Sequence, residues 1–518
     1  MDAHVPGTLP KRELHFVLSA LMLGMLLAAL DGTIVSTALP TIVGDLHGAN
    51  HLSWVVVSYL LASTVSTPLW GKLGDLHGRK VYFLAAIVIF LVGSMLCGFS
   101  QNMMELILFR ALQGLGGGGL MVGAQAVIAD VVPPRERGRY SGLFGAVFGA
   151  ATVLGPLLGG FIVEYWSWRW IFFVNVPFGI VALLVTVAAL PNAGQRRQHV
   201  IDYAGILTLT VAASSFILFT SLGGSTFAWG SGKSIALFVV GLIFTVAFIV
   251  IERRSPEPVL APSLFSNRVF SSASAIGFVV GFAMFGAMTF LPLYFQDVHG
   301  ASPTNSGLRL LPMMFGLFSA SIIVGQLVVK GWKYRPFPIA GTTIMTIGIG
   351  LLGTIGVHTS TFATGLYMLI LGVGIGLVMQ ILVTAVQNAV DPADVGAATA
   401  GTNFFRSIGG SFGTAVFGAI FSNELPRQLA SATKVSHYLG TLPAASQWTP
   451  TKLRALPSQA LGVIVHAISA SISHIYLLAI PVGLVALLLS LTLPEIKLRT
   501  SLHPVADEIP LSNAEPVA

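Results

Sequence analysis

Residues 71–99 read GKLGDLHGRKVYFLAAIVIFLVGSMLCGF, a short charged segment followed directly by a long uncharged one. The hydrocarbon core of a bilayer is about 30 Å thick, so a helix needs about 20 predominantly apolar residues to cross it. Residues 81–99 have that length and composition. This stretch therefore predicts a membrane-spanning helix that begins next to a basic loop.

The composition of the whole chain agrees with this prediction. Of its 518 residues, 54% are apolar and only 9% are charged, whereas a soluble domain carries about 25% charged residues. Such a composition excludes a soluble enzyme, a nucleic-acid-binding protein and a disordered chain. The single cysteine, Cys97, excludes an internal disulfide and a multi-cysteine metal site. We expect no metal and no cofactor.

Apolar runs long enough to cross a membrane recur along the chain, and we count fourteen of them. They cover residues 14–38, 52–71, 81–99, 103–128, 139–162, 168–190, 203–223, 234–251, 270–295, 306–329, 337–357, 362–386, 398–421 and 470–493.

The basic residues predict the orientation, because cytoplasmic loops of membrane proteins are enriched in Lys and Arg. If the N-terminus is cytoplasmic, 18 of the 27 Lys and Arg residues lie in inner segments, 6 in outer segments and 3 within spans. We therefore predict a multi-pass protein of the cell (inner) membrane with both termini in the cytoplasm. The formal net charge of +7 then reflects its inner loops.

A faint internal repeat suggests how the spans are organised. The loop after the second span begins GKLGDLHGRK at Gly71, and the loop after the tenth begins GQLVVKGWKYRP at Gly325. Parallel six-helix repeats are the plan of one large transporter fold. The predicted domains are a cytoplasmic N-terminus (1–13), a six-helix bundle (14–190), two inserted helices (203–251), a second six-helix bundle (270–493) containing an external loop (422–469), and a cytoplasmic tail (494–518).

One of the 20 acidic residues lies well inside a predicted span. Asp31 is seven residues from the outer end of its span, and Arg110 is seven residues from the outer start of another. At 1.5 Å per residue, both lie about 10 Å from the same membrane face, so they can pair or relay a proton if their helices are neighbours. Charges at such a depth are costly and usually functional. The alternatives are a hydrogen-bond acceptor in a kinked helix for Asp31 and a structural bridge for Arg110.

Other polar side chains also fall within spans. Arg406 lies about eight residues inside span 398–421, and we expect it to form a structural ion pair or to clamp a backbone carbonyl; the alternative is that it lines a polar cavity. Several amides either line a polar cavity or bond helices together. These amides are Gln113, Gln125, Gln380, Gln387 and Asn403.

Glycines cluster in two spans. RALQGLGGGG occupies residues 110–119 and GPLLGG occupies residues 155–160. Small residues let helix backbones approach closely, and Pro156 removes a backbone donor and permits a bend. The first cluster lacks a GK[ST] sequence and a preceding strand, which argues against a nucleotide-binding loop.

Five ordered motifs in the first 190 residues resemble the major facilitator superfamily, specifically its 14-span drug:proton antiporters related to QacA and EmrB. The motifs are LDGTIVSTALPTI (30–42), GKLGDLHGRK (71–80), RALQGLGGG (110–118), LGPLLGG (154–160) and WRWIFFVNVPFG (168–179). The resemblance implies an all-α polytopic membrane protein with the major facilitator fold: two six-helix bundles plus two inserted helices, fourteen in all.

The resemblance also implies roles for the motif residues. Asp31 and Arg110 would couple transport to protons, so that the proton motive force replaces a cofactor as the energy source. The loop after the second span would form a cytoplasmic latch against the start of span 13, while Lys72 and Lys80 serve only topology. The latch residues are Gly71, Asp75, Gly78 and Arg79. The span-5 motif, associated with export against proton influx, is Gly155, Pro156, Gly159 and Gly160.

The cargo is predicted only as a class. Some relatives that export cationic dyes carry extra acids in the second half, and spans 9–14 here have none. This favours neutral, weakly cationic, amphipathic or lipid-like molecules, with protons and membrane lipid as the other partners. A proton-coupled lipid or envelope-precursor exporter remains the alternative. The span-5 motif disfavours a nutrient importer, and the lack of a nucleophile–base pair disfavours a membrane enzyme.

The predicted external loop, residues 422–469, contains four prolines and several apolar positions. It either packs over the exit, docks an extracytoplasmic partner, or is a disordered linker.

Overall fold

A computed structural model describes residues 11–46, 52–132, 147, 150–151, 154–155, 157–190, 202–223, 227–433 and 458–496. Apart from one isolated β-bridge between Gly223 and Phe227, the regular structure of these residues is helical. The long helices are α1 (Lys11–Asp45), α2 (Leu52–His77), α3 (Arg79–Phe99), α4 (Met103–Val131), α5 (Asn175–Ala189), α6 (Tyr203–Leu222), α7 (Gly232–Glu252), α8 (Arg268–Leu293), α9 (Leu311–Val329), α10 (Pro336–Leu352), α11 (Thr361–Ala389), α12 (Val395–Thr433) and α13 (Ser458–Leu491).

Shorter helical pieces connect or extend these helices. They are Trp170–Phe173, Pro262–Ser266, Pro303–Arg309, a π-helical turn at Tyr294–Val298 and a 3-10 turn at Pro392–Asp394. Residues 157–165 are also helical, and they belong to the predicted fifth span.

Eleven helices in the described part of the chain are long and apolar enough to cross a membrane. The chain is therefore an all-helical membrane protein. The predicted count of fourteen is not reached by this measure. α10 has only 17 residues, α2 contains Pro68 among several serines and threonines, and much of the span predicted at 139–162 lies outside the described residues.

Polar caps and one glycine set several helix boundaries. Asn102 accepts a hydrogen bond from the backbone N–H of Glu105 at the start of α4, and Asn267 accepts from two N–H groups at the start of α8. Such caps satisfy N–H groups that have no partner within the helix. Gly78 separates α2 from α3 with a φ of 99°, a left-handed conformation that residues with a Cβ rarely adopt.

The helices pack in two groups with a pair between them. In the first group α2 and α3 pack on α4, and α1 packs on α4 and α5. In the second, α8 packs on α12, and α9 and α10 pack on α11. The pair α6–α7 packs together, and α6 also contacts α2 and α12. The groups meet where α12 packs against α2 and α4. We call the end of the molecule that carries residues 71–80 the basic end.

The segment predicted as an external loop is shorter than expected, because helices extend into it from both sides. α12 continues through Pro426 to Thr433, and α13 begins at Ser458. Gln428 bonds Glu424 one turn earlier, with 2.6 Å between Nε2 and Oε1, so polar contacts extend the helix beyond its apolar part. Residues 434–457 lie outside the described ones.

Candidate functional site

Asp31 and Arg110 form an ion pair between α1 and α4. Each residue is only 1% exposed. The Arg110 Nε also donates to the carbonyl oxygen of Val55 on α2, at 3.3 Å. A buried charge is tolerated only when it is paired and hydrogen-bonded, and this pair meets that condition.

Two amides and an aromatic ring complete the surroundings of the pair. Gln113 Nε2 donates to Asp31 Oδ1 at 2.8 Å, and Gln113 Oε1 accepts from Arg110 Nη1 at 2.8 Å. Asn175 Nδ2 lies 3.4 Å from the same Asp31 oxygen. The Arg110 guanidinium carbon lies 4.2 Å from the centre of the Tyr59 ring. We call Asp31, Arg110, Gln113 and Asn175 the Asp31 cluster.

At the basic end, Asp75 bonds to the first turn of α12. Its Oδ1 accepts from the backbone N–H of Gly396 at 3.1 Å, and its Oδ2 accepts from that of Ala397 at 2.7 Å. The N-terminus of a helix carries about half a positive charge, which favours a nearby carboxylate. Arg79 pairs with Asp75 at 2.7 Å and also with Asp130 at the end of α4. The latch thus connects α2, α3 and α4 of one group to α12 of the other.

Burial and charge act in opposite directions on the Asp75 carboxyl. Burial raises its pKa to about 6, while the Arg79 guanidinium and the two backbone N–H groups act to lower it. A carboxyl with this pKa is mostly ionised at neutral pH, so the latch holds a carboxylate there.

Gly71 permits the close approach of α2 to α12. A Cβ at this position would lie 2.5 Å from the Ala400 Cβ and 2.6 Å from the carbonyl oxygen of Gly396. Any side chain at residue 71 would force the two helices apart. Lys72 and Lys80, predicted to serve topology only, lie in the last turn but one of α2 and the first turn of α3, and Lys80 Nζ donates to the Val187 carbonyl oxygen at 2.8 Å.

The span-5 glycines differ from one another in their surroundings. A Cβ on Gly155 would overlap the Thr33 side chain of α1, and one on Gly159 would lie 3.1 Å from the Ile34 carbonyl oxygen. Gly160 has no atom of the described residues within 4 Å of that position, so close packing against them does not require its glycine. Pro156 lies outside the described residues.

The predicted polar amides fall into separate places. Gln113 belongs to the Asp31 cluster. Gln125 joins the two groups near the basic end: its Oε1 accepts from Asn403 Nδ2 at 2.6 Å, and its backbone oxygen lies 3.4 Å from Gln387 Nε2. Gln380 is half-buried on α11.

The expectation that Arg406 forms an ion pair or clamps a carbonyl is wrong for the described residues. Its guanidinium has no ion pair or hydrogen bond with any of them. The reason lies in its neighbours, because a small cavity beside it is lined by Gly277, Val280, Met379 and Leu382, none of which carries a carboxylate. Arg406 is therefore a half-buried cation without a counter-ion in the described part of the chain.

Three members of these sites are not predicted from the sequence. Asn175 lies in the apolar run IFFVNVPFG, and an isolated amide in such a run could have indicated a buried polar contact. Asp130 lies at the end of α4, and its contact with Arg79 depends on how α3 packs on α4. The position of Tyr59 depends on how α2 packs on α4, which no local pattern reveals.

The comparison with known proteins decides the family. The sequence profile of the Major Facilitator Superfamily matches residues 21–414. The chain belongs to the major facilitator superfamily. It is therefore a multi-pass membrane transporter, and its family is one of transporters rather than enzymes, as the sequence predicted.

Relatives in this superfamily include efflux proteins. The multidrug transporter protein MdtP of Bacillus subtilis is 41% identical over 450 residues, covering 87% of this chain and 82% of that protein. Multidrug resistance protein 3 of the same organism is 36% identical over 487 residues, covering 92% and 95%. An uncharacterized MFS-type transporter of Mycobacterium tuberculosis is 45% identical over 495 residues, covering 96% and 71%.

Solved structures show the same fold at low sequence identity. The human organic anion transporter MFSD10 superposes with a TM-score of 0.62 at 13% identity, covering 92% of this chain and 100% of that one. The proton:xylose symporter XylE gives 0.58 at 16%, covering 93% and 96%. These structures support the major facilitator fold for this chain.

Proposed function

We propose that this transporter is a proton-coupled antiporter that exports amphipathic small molecules by alternating access. The observation that carries the proposal is the Asp31 cluster, in which a carboxylate on α1 is buried against an arginine on α4. Ionisable residues within transmembrane segments typically mark ion or substrate pathways. Similarity to multidrug transporters supports the direction of transport.

The cluster offers a mechanism for coupling. Protonation of Asp31 removes the negative charge that holds Arg110, and deprotonation restores the pair. Arg110 also holds the Val55 carbonyl, so breaking the pair changes how α1, α2 and α4 fit together. One proton entering down 100 mV supplies about 2.3 kcal/mol, and each unit of pH gradient adds about 1.4 kcal/mol. One or two protons therefore sustain a useful gradient without ATP.

The latch supplies the second part of the cycle. The hydrogen bonds of Asp75 to α12, and of Gln125 to Asn403, hold the basic end closed. If this end faces the cytoplasm, as the basic residues predict, the latched form is open or occluded towards the outside. Cargo release outside and proton entry to Asp31 would then take place in this form.

A substrate screen in proteoliposomes tests the proposal. Fluorescent neutral and monocationic amphiphiles are added to the outside of inverted vesicles. A pH gradient with an acidic vesicle interior is then imposed. The proposal expects accumulation of at least one amphiphile that stops when an ionophore collapses the gradient. Accumulation that stays the same when the pH gradient is collapsed would contradict proton coupling. Translocation of labelled lipid but of no amphiphile would favour the lipid-exporter alternative.

A further inference from the structure

A large apolar cavity lies between the inserted pair and the second helix group. Its volume is about 670 Å³, within the range of roughly 300–1,000 Å³ typical of small-molecule sites. It is lined by α6 and α7 on one side and α8 and α12 on the other, with Leu489 of α13 and Leu260 of the segment between α7 and α8. Seven of the 19 lining residues are phenylalanines. These include Phe216, Phe248, Phe265, Phe278, Phe405 and Phe412.

The cavity opens on the outer surface of the bundle. Ile249 on α7 and Phe265 in the short helix Pro262–Ser266 both line it and are 46% and 44% exposed. An apolar residue that is exposed on a membrane-spanning helix, as Ile249 is, faces lipid. Deeper inside, the buried hydroxyl of Ser274 has no hydrogen-bond partner among the described residues. The cavity therefore joins a lipid-facing mouth to an unsatisfied polar group.

Two of the lining helices, α7 and α8, each have an arginine one helical turn away from a residue that lines the cavity. Arg268 begins α8, and Ser271 and Ala275, which line the cavity, follow three and seven residues later on the same helix face. Arg253 directly follows α7, four residues after Ile249. Both arginines are exposed and neither has an ion pair with a described residue.

The position of Arg268 argues against a role in helix stability. A positive charge at a helix N-terminus opposes the helix dipole, so this arginine weakens the start of α8. Basic pockets between membrane helices at the cytoplasmic side bind anionic lipid head groups. An apolar cavity with two free arginines at its polar edge matches one ligand class, an acyl chain joined to an anionic head group.

We propose that this cavity is a binding site for an anionic phospholipid of the adjacent leaflet. Its acyl chain occupies the phenylalanine-lined space, and its phosphate lies between Arg253 and Arg268, while the Ser274 hydroxyl donates to the ester region. The lipid fills the seam between the inserted pair and the second helix group. This site is separate from the Asp31 cluster and the latch, so it does not depend on the proposed antiport.

Photo-crosslinking in nanodiscs tests the site. The probes are phosphatidylglycerol and phosphatidylcholine that carry the same diazirine-labelled acyl chain, and labelled peptides are quantified by mass spectrometry. Peptides of α6, α8 and α12 that line the cavity are expected to take up more of the phosphatidylglycerol probe. Replacing Arg253 and Arg268 with Gln should lower that excess by about fivefold for each charge removed. The matched Lys330→Gln, Lys333→Gln protein should keep it.

Filling the cavity provides the second arm. Ala275→Trp should abolish labelling of the cavity peptides by either probe, whereas Val246→Trp on the exposed face of α7 should leave it unchanged. If Ala275→Trp does not fold, Ala212→Phe on the opposite wall replaces it. Equal labelling of the cavity by the two probes, or labelling that survives the filled cavity, would overturn the proposal.

Discussion

The buried residues of the Asp31 cluster are linked so closely that each one constrains the others. Arg110 binds Asp31, Gln113 and the Val55 carbonyl at once. Leaving one partner of such a buried pair without the other costs about 3–5 kcal/mol. The cluster can therefore change its protonation only together with a rearrangement of the helices that carry it.

Arg110→Lys should reduce transport strongly, and Arg110→Ala should reduce it further. Lysine keeps the charge but loses the planar fork of donors with which Arg110 reaches three acceptors. Initial rates of gradient-driven transport at matched protein levels measure the effect, with the exposed Arg254→Lys as control. Normal transport by both Arg110 variants would show that this residue only packs.

Arg406→Gln should increase transport of monocationic relative to neutral amphiphiles. At about 10 Å and an effective dielectric constant of about 20, a unit charge repels a cation by about 1.7 kcal/mol, or roughly 17-fold. Paired transport assays with a cationic and a neutral probe measure the ratio, and Lys333→Gln is the control. An unchanged ratio would place Arg406 away from the cargo path.

The latch acts at the scale of helices, because it ties the start of α12 to the ends of three helices in the other group. Asp75→Asn should weaken it, since one of the two oxygens that accept backbone N–H groups becomes an NH₂. Losing a hydrogen bond to a charged group costs about 1.5–3 kcal/mol, which shifts the closed population about tenfold or more. Substrate should still bind, but turnover should be slow.

Cross-linking measures this shift. Cysteines replacing Gln125 and Asn403, whose amides are bonded in the closed form, are joined by a short bifunctional reagent in a Cys97→Ala background. The yield should fall with Asp75→Asn and stay unchanged with Asp391→Asn, which alters an exposed acid beside α12. Equal yields in all three proteins would refute the latch.

Two glycines of the span-5 motif differ in how closely they pack against α1. Gly155→Leu should block transport at normal expression, because its side chain would overlap Thr33 and push α1 away. Gly160→Leu should be tolerated, because nothing lies within 4 Å of its Cβ position. Transport assays on both variants check this contrast, and an equal loss in both would contradict it.

For the whole molecule, sequence patterns predicted the contacts that depend on how deep a residue lies in its span and on the order of the motifs along the chain. Asp31 and Arg110 meet because they lie at equal depth on neighbouring helices, and Asp75 lies near α12 in the position that the loop motif implies. The prediction of a partner for Arg406 was wrong because its surroundings depend on how α8 and α11 pack against α12. The phenylalanine-lined cavity was not foreseen, since it exists only where the inserted pair packs on the second group.

The central claim is that Asp31 carries the proton that drives transport. Simultaneous measurement of proton uptake and cargo accumulation in proteoliposomes tests it most directly. Wild type is compared with Asp31→Asn and with Glu105→Gln, which alters a half-buried acid in the first turn of α4. Asp31→Asn keeps an oxygen that can accept from Arg110, so it should remain folded at reduced stability yet lose both gradient-driven accumulation and cargo-dependent proton uptake, while Glu105→Gln keeps both. Cargo-dependent proton uptake that persists undiminished in Asp31→Asn would contradict the account.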